Sequence, residues 1–362
     1  MSESDSKPAR IKGRGSASNP EGRFELTTRV DFDDGWYADG EPLAPPRTEV
    51  TIERARSIIS TNQSPDVPFD QSINAYRGCE HGCAYCYARP THAYLNLSPG
   101  LDFETKLYAK TNAAEQLRVE LAKPGYVCRP INLGANTDPY QPIERRYRIT
   151  REILEVLLET RHPCTIITKN ALIERDLDLL AEMAKHDLVQ AFVSITSLDN
   201  KLSSRLEPRA SAPHRRIAAV AALNAAGVPC GVMVAPIIPA LTDNHLENIL
   251  ERAAAAGAKI AGYTVIRLPY ELKQLWEEWL QQHYPERAEH VLSLIRQMRG
   301  GKDNDARFGT RMKGEGVFAD LIRTRFLAAS RAHGIRGRGG IALDTSSFQP
   351  PRKPTPQGEL FP

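Results

Sequence analysis

The stretch RGCEHGCAYCYA, residues 77–88, decides the fold because it places three cysteines within eight residues. Cys79, Cys83 and Cys86 have the spacing CxxxCxxC. Three thiolates at this spacing predict ligands for three irons of a [4Fe–4S] cube, with the fourth iron left open to another ligand. Electron-carrier clusters are normally held by four cysteines. The motif therefore indicates a catalytic cluster rather than an electron carrier.

Zinc and disulfide bonds are the alternative uses of these cysteines. His81 lies inside the run and would complete a Cys3His ligand set, which zinc accepts. Such a site would have to close inside one tight loop, and the chain has no second CxxC pair. A disulfide is disfavoured because no apolar secretory signal is visible and three clustered thiols leave one unpaired.

The composition indicates a globular protein with a substantial core. The chain has 362 residues, of which 41% are hydrophobic and 25% are charged. No apolar run approaches the roughly 20 residues that a membrane-spanning helix needs, so we expect a cytoplasmic protein without membrane contact. The net charge is only +3, but residues 296–340 carry 11 Lys and Arg against 4 Asp and Glu.

A regular alternation of strands and helices begins near residue 70. Strands are predicted at residues 72–77, 130–134, 164–168, 189–195, 230–237 and 260–266. Amphipathic helices are predicted at residues 112–122, 150–161, 172–186, 214–226, 243–256 and 270–283. Six such repeats predict a parallel sheet curled into a partial barrel, with the chemistry at the carboxyl ends of the strands. The cysteine loop follows the first strand, where this rule requires it.

The pattern changes after residue 285, where helices are predicted at 286–299 and 315–333. The chain is thereby divided into five segments. We expect a disordered basic arm at 1–24, an irregular N-terminal segment at 25–64, the partial barrel at 65–300, a basic helical extension at 301–340 and a flexible Pro-rich tail at 341–362.

The cysteine run resembles the signature of the radical S-adenosylmethionine (SAM) superfamily, including Tyr85 just before the last cysteine. The resemblance implies an α/β fold, a partial (β/α)6 barrel of radical SAM type with a helical C-terminal extension and flexible termini. It also implies that the amino and carboxylate groups of SAM chelate the open iron. One electron, from a donor such as flavodoxin or ferredoxin, then cleaves SAM to methionine and a 5′-deoxyadenosyl radical that abstracts hydrogen from a substrate.

The same resemblance assigns cofactor-binding roles to residues at the predicted strand ends. In NLGANTDPYQPIE, residues 132–144, the positions implied to receive the amino group of SAM are Asn132, Gly134 and Asn136. Lys169, after the third strand, is implied to meet the SAM carboxylate. The fourth and fifth strands end in residues implied to bind the ribose and adenine, namely Ser194, Thr196 and Ala235. The alternative for each is an ordinary turn or loop residue.

Four further segments narrow the resemblance to the branch related to spore photoproduct lyase and DNA repair photolyase-like proteins. They are TDPYQPIE, ITKN with the RD that follows it, the SIT strand end and RLEPRA, within roughly residues 65–300. The charged residues of RLEPRA either line the mouth of the barrel or form a surface ion-pair loop. Spore photoproduct lyase uses a cysteine near the end of its second strand as hydrogen donor, whereas residues 135–138 here contain no thiol. Dimer cleavage by that route is not expected, and no catalytic residue is assigned.

Two C-terminal features point to nucleic acid. The segment Gln357–Phe361 fits the QxxLF pattern of peptides that bind the bacterial sliding clamp, with an unstructured terminus as the alternative. The basic residues of 296–340, with Phe308 and Phe318 among them, indicate a DNA or RNA surface or, alternatively, a solvated helix face.

Three functions follow from these observations. The first is a radical SAM enzyme, a lyase or modifying enzyme, that acts on a nucleic-acid lesion or a modified base. The second keeps the radical chemistry but takes a protein or a small metabolite as substrate. The third is a non-enzymatic, zinc-stabilised module that binds the sliding clamp.

Overall fold

The strands of the protein belong to two sheets. The computed structural model describes residues 11–25, 46–337 and 342–351. The strands in these residues are β1 (Glu49–Glu53), β2 (Ile59–Thr61), β3 (Gln71–Ile73), β4 (Tyr76–Arg77), β5 (Lys106–Lys110), β6 (Ile131–Leu133), β7 (Cys164–Thr168), β8 (Val189–Ser194), β9 (Cys230–Ile237), β10 (Ile260–Val265) and β11 (Arg336–Gly337).

The larger sheet has eight strands in the order β11-β10-β9-β8-β7-β6-β3-β2. Every neighbouring pair is parallel except β2 and β3. Six strands of this sheet correspond to the six predicted strands, namely β3, β6, β7, β8, β9 and β10. This correspondence confirms the α/β partial barrel. Because these strands are parallel, their carboxyl ends share one edge of the sheet.

Helices connect the parallel strands and form the C-terminal extension, as predicted. They are α1 (Asp102–Thr105), α2 (Ala113–Leu121), α3 (Glu144–Tyr147), α4 (Ile149–Glu159), α5 (Leu177–Ala184), α6 (Asn200–Leu206), α7 (Pro213–Ala225), α8 (Leu246–Ala255), α9 (Leu272–His283), α10 (Ala288–Gln297) and α11 (Val317–Ala332). Short 3-10 turns occupy Arg89–Leu95, Ala171–Asp176, Asp243–His245 and Pro285–Arg287. Proline begins α7, where the missing N–H would have no helical partner.

The smaller sheet has the order β1-β5-β4 and was not predicted from the sequence. The predicted strand 72–77 is in fact interrupted: β3 pairs in the main sheet, whereas β4 pairs antiparallel with β5. The Asn74 side chain stabilises this change of sheet, because its Oδ1 accepts hydrogen bonds from the backbone N–H groups of Asn136 (2.9 Å) and Thr137 (3.2 Å). The smaller sheet thus leads the chain into the cysteine loop.

Two apolar clusters hold the molecule together. The main core lies between the eight-stranded sheet and its helices, and β8 is buried along its whole length. A second cluster joins the cysteine loop to α9 and α10, with Trp276 and Trp279 stacked at 4.9 Å between ring centroids. The C-terminal helices therefore support the loop that carries the cysteines.

The structure differs from the expected disordered arm at residues 11–25, which lie against the cysteine loop. The backbone N–H groups of Gly15 and Ser16 donate to the buried Glu104 carboxylate at 3.0 and 2.9 Å. Arg14 donates to the Glu104 carbonyl oxygen at 3.1 Å. The contact with the Glu104 carboxylate is made by backbone donors, so the polar composition of residues 11–25 did not reveal it.

Replacing Gly15 by alanine is expected to detach residues 11–25. A Cβ at this position would lie 1.6 Å from the carbonyl oxygen of Gly82, which is backbone and cannot move aside cheaply. We expect trypsin to cleave after Lys12 and Arg14 at least about tenfold faster, equivalent to more than about 1.4 kcal/mol of lost local stability. Gly337→Ala is the control, because a Cβ there meets no atom within 4 Å and the residue lies in β11, which pairs with β10. Equal protection of both variants would contradict the contact.

The C-terminal segment also differs from the expected flexible tail. Residues 342–351 pack on the barrel: the Gln349 N–H donates to the Thr160 carbonyl oxygen at 2.8 Å. The Phe348 ring lies 5.3 Å from the His162 ring between centroids. The predicted clamp-binding segment Gln357–Phe361 lies outside the described residues. No helix in the described parts of the chain is long and apolar enough to cross a membrane.

Candidate active site

The cysteine loop is held by a buried arginine. Arg89 is fully buried, and its guanidinium donates to the Cys83 carbonyl oxygen at 2.9 Å, to the Gly100 carbonyl oxygen at 2.7 Å and to Glu104 at 2.9 Å. Gly82 has φ +63°, a conformation that favours glycine, and a Cβ there would lie 2.2 Å from Glu104. The loop conformation is therefore defined by residues on both sides of the motif.

The three cysteines lie together at the carboxyl ends of the strands. Cys79 and Cys83 are buried and Cys86 is half-buried. Burial raises the pKa of the Cys79 thiol, and the nearby Asp138, Cys83 and Cys86 raise it further. Thiolates in such a place need a cation for stability, and the irons of a cluster supply that charge.

The donor set fits an iron–sulfur cube better than zinc. His81, the fourth ligand of the zinc alternative, has partners at both ring nitrogens: Asp138 lies 3.4 Å from Nδ1 and Asn170 lies 3.1 Å from Nε2. In the residues that the structure describes, no group of three or more His, Cys, Asp or Glu side chains is arranged to hold a single metal ion. A cube differs in that each thiolate binds a separate iron.

A cavity of about 210 Å³ adjoins the cysteines. Its wall includes Cys83 and Cys86. It also includes six of the eight predicted cofactor-binding residues, namely Tyr85, Asn132, Gly134, Lys169, Ser194 and Ala235. These six residues come from the loop and the ends of four parallel strands, as the strand-end rule predicts. A larger cavity of about 480 Å³, between residues 15–17 and α9, contains none of the predicted site residues.

Asn132 and Gly134 give the β6 end its shape. The Asn132 side chain is buried, and its Nδ2 has no hydrogen-bond partner within the described protein. Its Oδ1 accepts from Thr165 at 3.3 Å. Gly134 has φ +96°, and a Cβ there would lie 2.3 Å from the Ile167 carbonyl oxygen. The strand end therefore offers a polar donor and no bulk to a ligand in the cavity.

Thr196 lies behind the cavity rather than in it. Its Oγ1 is 3.1 Å from the Tyr85 hydroxyl, 2.8 Å from Glu207 and 2.9 Å from the Ala235 carbonyl oxygen. The Thr196 hydroxyl already has protein partners, and the ribose contact predicted for Thr196 stays a prediction. Asn136 is also absent from the cavity wall, since the chain turns away after Ala135 and the Asn136 N–H donates to Asn74.

Glu207 and Arg216 form a buried ion pair beneath Tyr85. Both side chains are fully buried, and Glu207 also accepts a hydrogen bond from the Tyr85 hydroxyl. Arg216 further donates to the Ser194 carbonyl oxygen at 3.1 Å. Burial alone would raise the pKa of Glu207, but the charges of Arg216 and Lys169 outweigh it and lower that pKa to about 2. The pair therefore stays ionised and connects the cysteine loop to the β8 end.

The charged residues of RLEPRA do not line the cavity mouth. Glu207 is buried, Arg209 pairs with Glu80 at 2.8 Å, and the Arg205 guanidinium lies 5.3 Å from the centroid of the Tyr284 ring. Their role is to join neighbouring segments of the loop.

Several cavity residues were missed by sequence reasoning. Tyr87 follows the last cysteine, and Arg267 follows β10. The rule that strand ends carry the site would have identified Arg267. Met312 comes from the basic loop, and its carbonyl oxygen accepts from Val265 at 2.9 Å. No local pattern marks Met312, since this contact depends on tertiary packing.

Five of the ten described Lys and Arg residues after position 295 have acidic partners. The pairs with the best geometry are Arg296–Asp303, Arg307–Asp305, Arg311–Asp66 and Arg325–Glu247. Phe308 is exposed, whereas Phe318 packs partly buried against the main core. The region therefore presents less free positive charge than its composition implied, and the nucleic-acid surface stays a prediction.

Comparisons with known proteins agree with this geometry. The chain matches the Radical SAM superfamily over residues 73–253. The uncharacterized protein Rv2578c of Mycobacterium tuberculosis is 40% identical over 260 residues, which cover 70% of this chain and 76% of that protein. The uncharacterized protein MJ0683 of Methanocaldococcus jannaschii is 27% identical over 246 residues, which cover 68% and 87% respectively.

A solved structure adds a likeness of fold. A spore photoproduct lyase variant with bound AdoMet and dinucleoside spore photoproduct has a TM-score of 0.58 at 16% identity, and the match covers 80% of this chain and 81% of that one. The family match over half of the chain establishes membership, and Cys79, Cys83 and Cys86 stay the predicted ligands of the cluster. The chain belongs to the radical SAM superfamily and is a radical SAM enzyme that uses a [4Fe–4S] cluster and SAM.

Proposed function

We propose that this radical SAM enzyme acts on nucleic acid, at a lesion or a modified base. The observation that carries the proposal is the character of the cavity wall. It contains the aromatic residues Phe69, Tyr85 and Tyr87 and the cations Lys169 and Arg267, and no Asp or Glu is among its described lining residues. Aromatic faces suit planar bases, and cations suit phosphates.

Within this cavity we assign SAM to the predicted strand-end residues. Cys79, Cys83 and Cys86 hold three irons, and the cluster with SAM bound supplies the 5′-deoxyadenosyl radical that abstracts hydrogen. Asn132 offers its unpartnered amide to the methionine part of SAM, and Lys169 neutralises the carboxylate. The nucleoside part of SAM lies against the remaining wall residues on β8 and β9, which are Ser194 and Ala235.

The related solved structure supports a nucleic-acid substrate, since that lyase is described with a dinucleoside spore photoproduct. The cysteine that the resemblance implies as hydrogen donor is missing from the corresponding place in this chain. The Tyr87 hydroxyl donates to the Ala135 carbonyl oxygen, and residues 135–138 carry no thiol. The proposal is therefore lesion repair or base modification by another route, with a flavodoxin or ferredoxin as electron donor. Clamp binding through Gln357–Phe361 stays a prediction from sequence.

The test combines binding with SAM cleavage. Anaerobically reconstituted protein is titrated with a fluorescent single-stranded oligonucleotide at low salt, where phosphate contacts are strongest. Cleavage of SAM to 5′-deoxyadenosine is measured with dithionite on the same preparation. Both signals are expected. SAM cleavage without any oligonucleotide binding would refute the nucleic-acid substrate and favour a protein or a small metabolite.

A further inference from the structure

We propose that Arg267 binds a phosphate oxygen of the substrate backbone. The inference rests on the proposed function and specifies how the substrate is recognised. Arg267 lies just after β10 and lines the cavity beside the cysteines. Its guanidinium carbon is 4.8 Å from the centroid of the Tyr87 ring. A cation and an aromatic face therefore stand together at one side of the cavity.

The guanidinium of Arg267 has no acceptor within the described protein. The charged groups that act on this guanidinium include Arg311, Asp66 and Arg299. Asp66 is already occupied, because it pairs with Arg311 and accepts from the Gly309 N–H at 2.7 Å. Arg299 is buried and donates to the carbonyl oxygens of Ile266 (2.7 Å) and Arg311 (2.8 Å). Arg267 thus keeps up to five N–H donors for a ligand.

A second cation, Lys169, lies at the other side of the same cavity. Lys169 follows β7, and β8 and β9 separate β7 from β10. Three strand spacings along the sheet separate the two strand ends by roughly 14 Å, so the two cations enter the cavity from different sides. The Lys169 Nζ lies 5.9 Å from the centroid of the Tyr85 ring, and Tyr85 stands between Cys83 and Cys86 in the cysteine loop, which places Lys169 on the cluster side. Arg267 is left for a second anionic group, one that belongs to the substrate.

A phosphodiester fits this position better than a carboxylate. Arginine binds phosphate through paired N–H groups, and the adjacent Tyr87 ring is 45% exposed and free to contact a base. A nucleotide supplies the anion and the planar group together. The cavity wall around them is otherwise apolar or neutral, with Val265 and Met312 beside Arg267. An isolated carboxylate would use only the cation.

The experiment compares two single-stranded oligonucleotides of the same sequence. In the first, all linkages are phosphodiesters. In the second, the central linkages are neutral methylphosphonates. Wild type, Arg267→Gln, Arg267→Lys and Arg118→Gln are titrated by fluorescence anisotropy over a range of salt concentrations. Arg118 is the matched control, since it pairs with Glu159 on the outer helices. Thermal melting checks that each variant is folded.

We expect Arg267→Gln to bind the phosphodiester oligonucleotide about tenfold more weakly. Its plot of log Kd against log salt should be shallower by about 0.7, the loss of one phosphate contact to a single strand. The variant should no longer distinguish the two oligonucleotides, Arg267→Lys should fall between it and wild type, and Arg118→Gln should match wild type.

Three results would overturn the inference. If Arg267→Gln kept the affinity and salt dependence of wild type, Arg267 would not contact a phosphate. The proposal of a nucleic-acid substrate would be unaffected. Loss of SAM affinity in that variant, as large as the loss of oligonucleotide affinity, would assign Arg267 to SAM. If wild type bound neither oligonucleotide at low salt, both the phosphate site and the proposed nucleic-acid substrate would be refuted.

Discussion

Cys83→Ala is expected to purify without an intact cluster and to lose SAM cleavage. Cys83 provides one of three sulfurs, and the neighbouring backbone is fixed by Arg89, so no other side chain can replace it. Anaerobic wild type should hold roughly four irons per chain and absorb near 400 nm, as expected for a [4Fe–4S] protein. The variant should lose most of this iron and absorbance, and its yield of 5′-deoxyadenosine should fall at least about a hundredfold.

The matched control for this prediction is Cys230→Ala. Cys230 is also buried, but it is the first residue of β9 and lies in the main core, at the opposite end of the strands. This variant should keep its iron and its SAM cleavage. Iron retained at the wild-type level in Cys83→Ala, or lost equally in both variants, would contradict the assignment of the cysteine loop.

Glu207→Ala is expected to destabilise the protein by about 3–5 kcal/mol, because it leaves the Arg216 guanidinium buried without a counter-charge. The same change removes the acceptor of Tyr85 and a partner of Thr196. The cysteine loop should therefore become mobile, and the cluster should be lost faster in air. Urea unfolding of the apoprotein measures the first effect, and the decay of absorbance near 400 nm measures the second.

Two comparisons separate this pair from an ordinary salt bridge. Glu159→Ala breaks the exposed pair with Arg118 and should cost no more than about 1 kcal/mol. Replacing Glu207 and Arg216 together by leucine and methionine should cost less than Glu207→Ala alone, since no buried charge is then left unpaired. If Glu207→Ala were as mild as Glu159→Ala, the buried network would not support the loop.

The main sheet was predictable because its strands are buried on both faces. The segment Cys230–Ile237 reads CGVMVAPI, a continuous apolar run that predicts a parallel strand, and the structure has a strand with those bounds. By contrast, the smaller sheet escaped prediction. Its strand Glu49–Glu53 alternates polar and apolar residues, as a strand does, but it is short and follows the Pro-containing stretch EPLAPPR, so the sequence predicts an irregular segment there.

The candidate site was predictable in its positions and less so in its contacts. The strand-end rule identified Asn132 and Lys169, which lie in the cavity wall. The rule could not show that the Thr196 hydroxyl contacts Glu207, because that contact exists only once the loop is folded. Likewise the charge of the basic loop was overestimated, since Arg311 pairs with Asp66, a residue distant in sequence.

The central claim is that three cysteines hold a cluster whose open iron binds SAM beside the cavity. Electron–nuclear double resonance tests it most directly, on reduced wild-type protein with SAM isotopically labelled at its carboxylate oxygens. The account predicts a hyperfine coupling between the labelled oxygens and the cluster, and loss of the cluster signal in Cys83→Ala. A full cluster that shows no coupling at saturating SAM would contradict it.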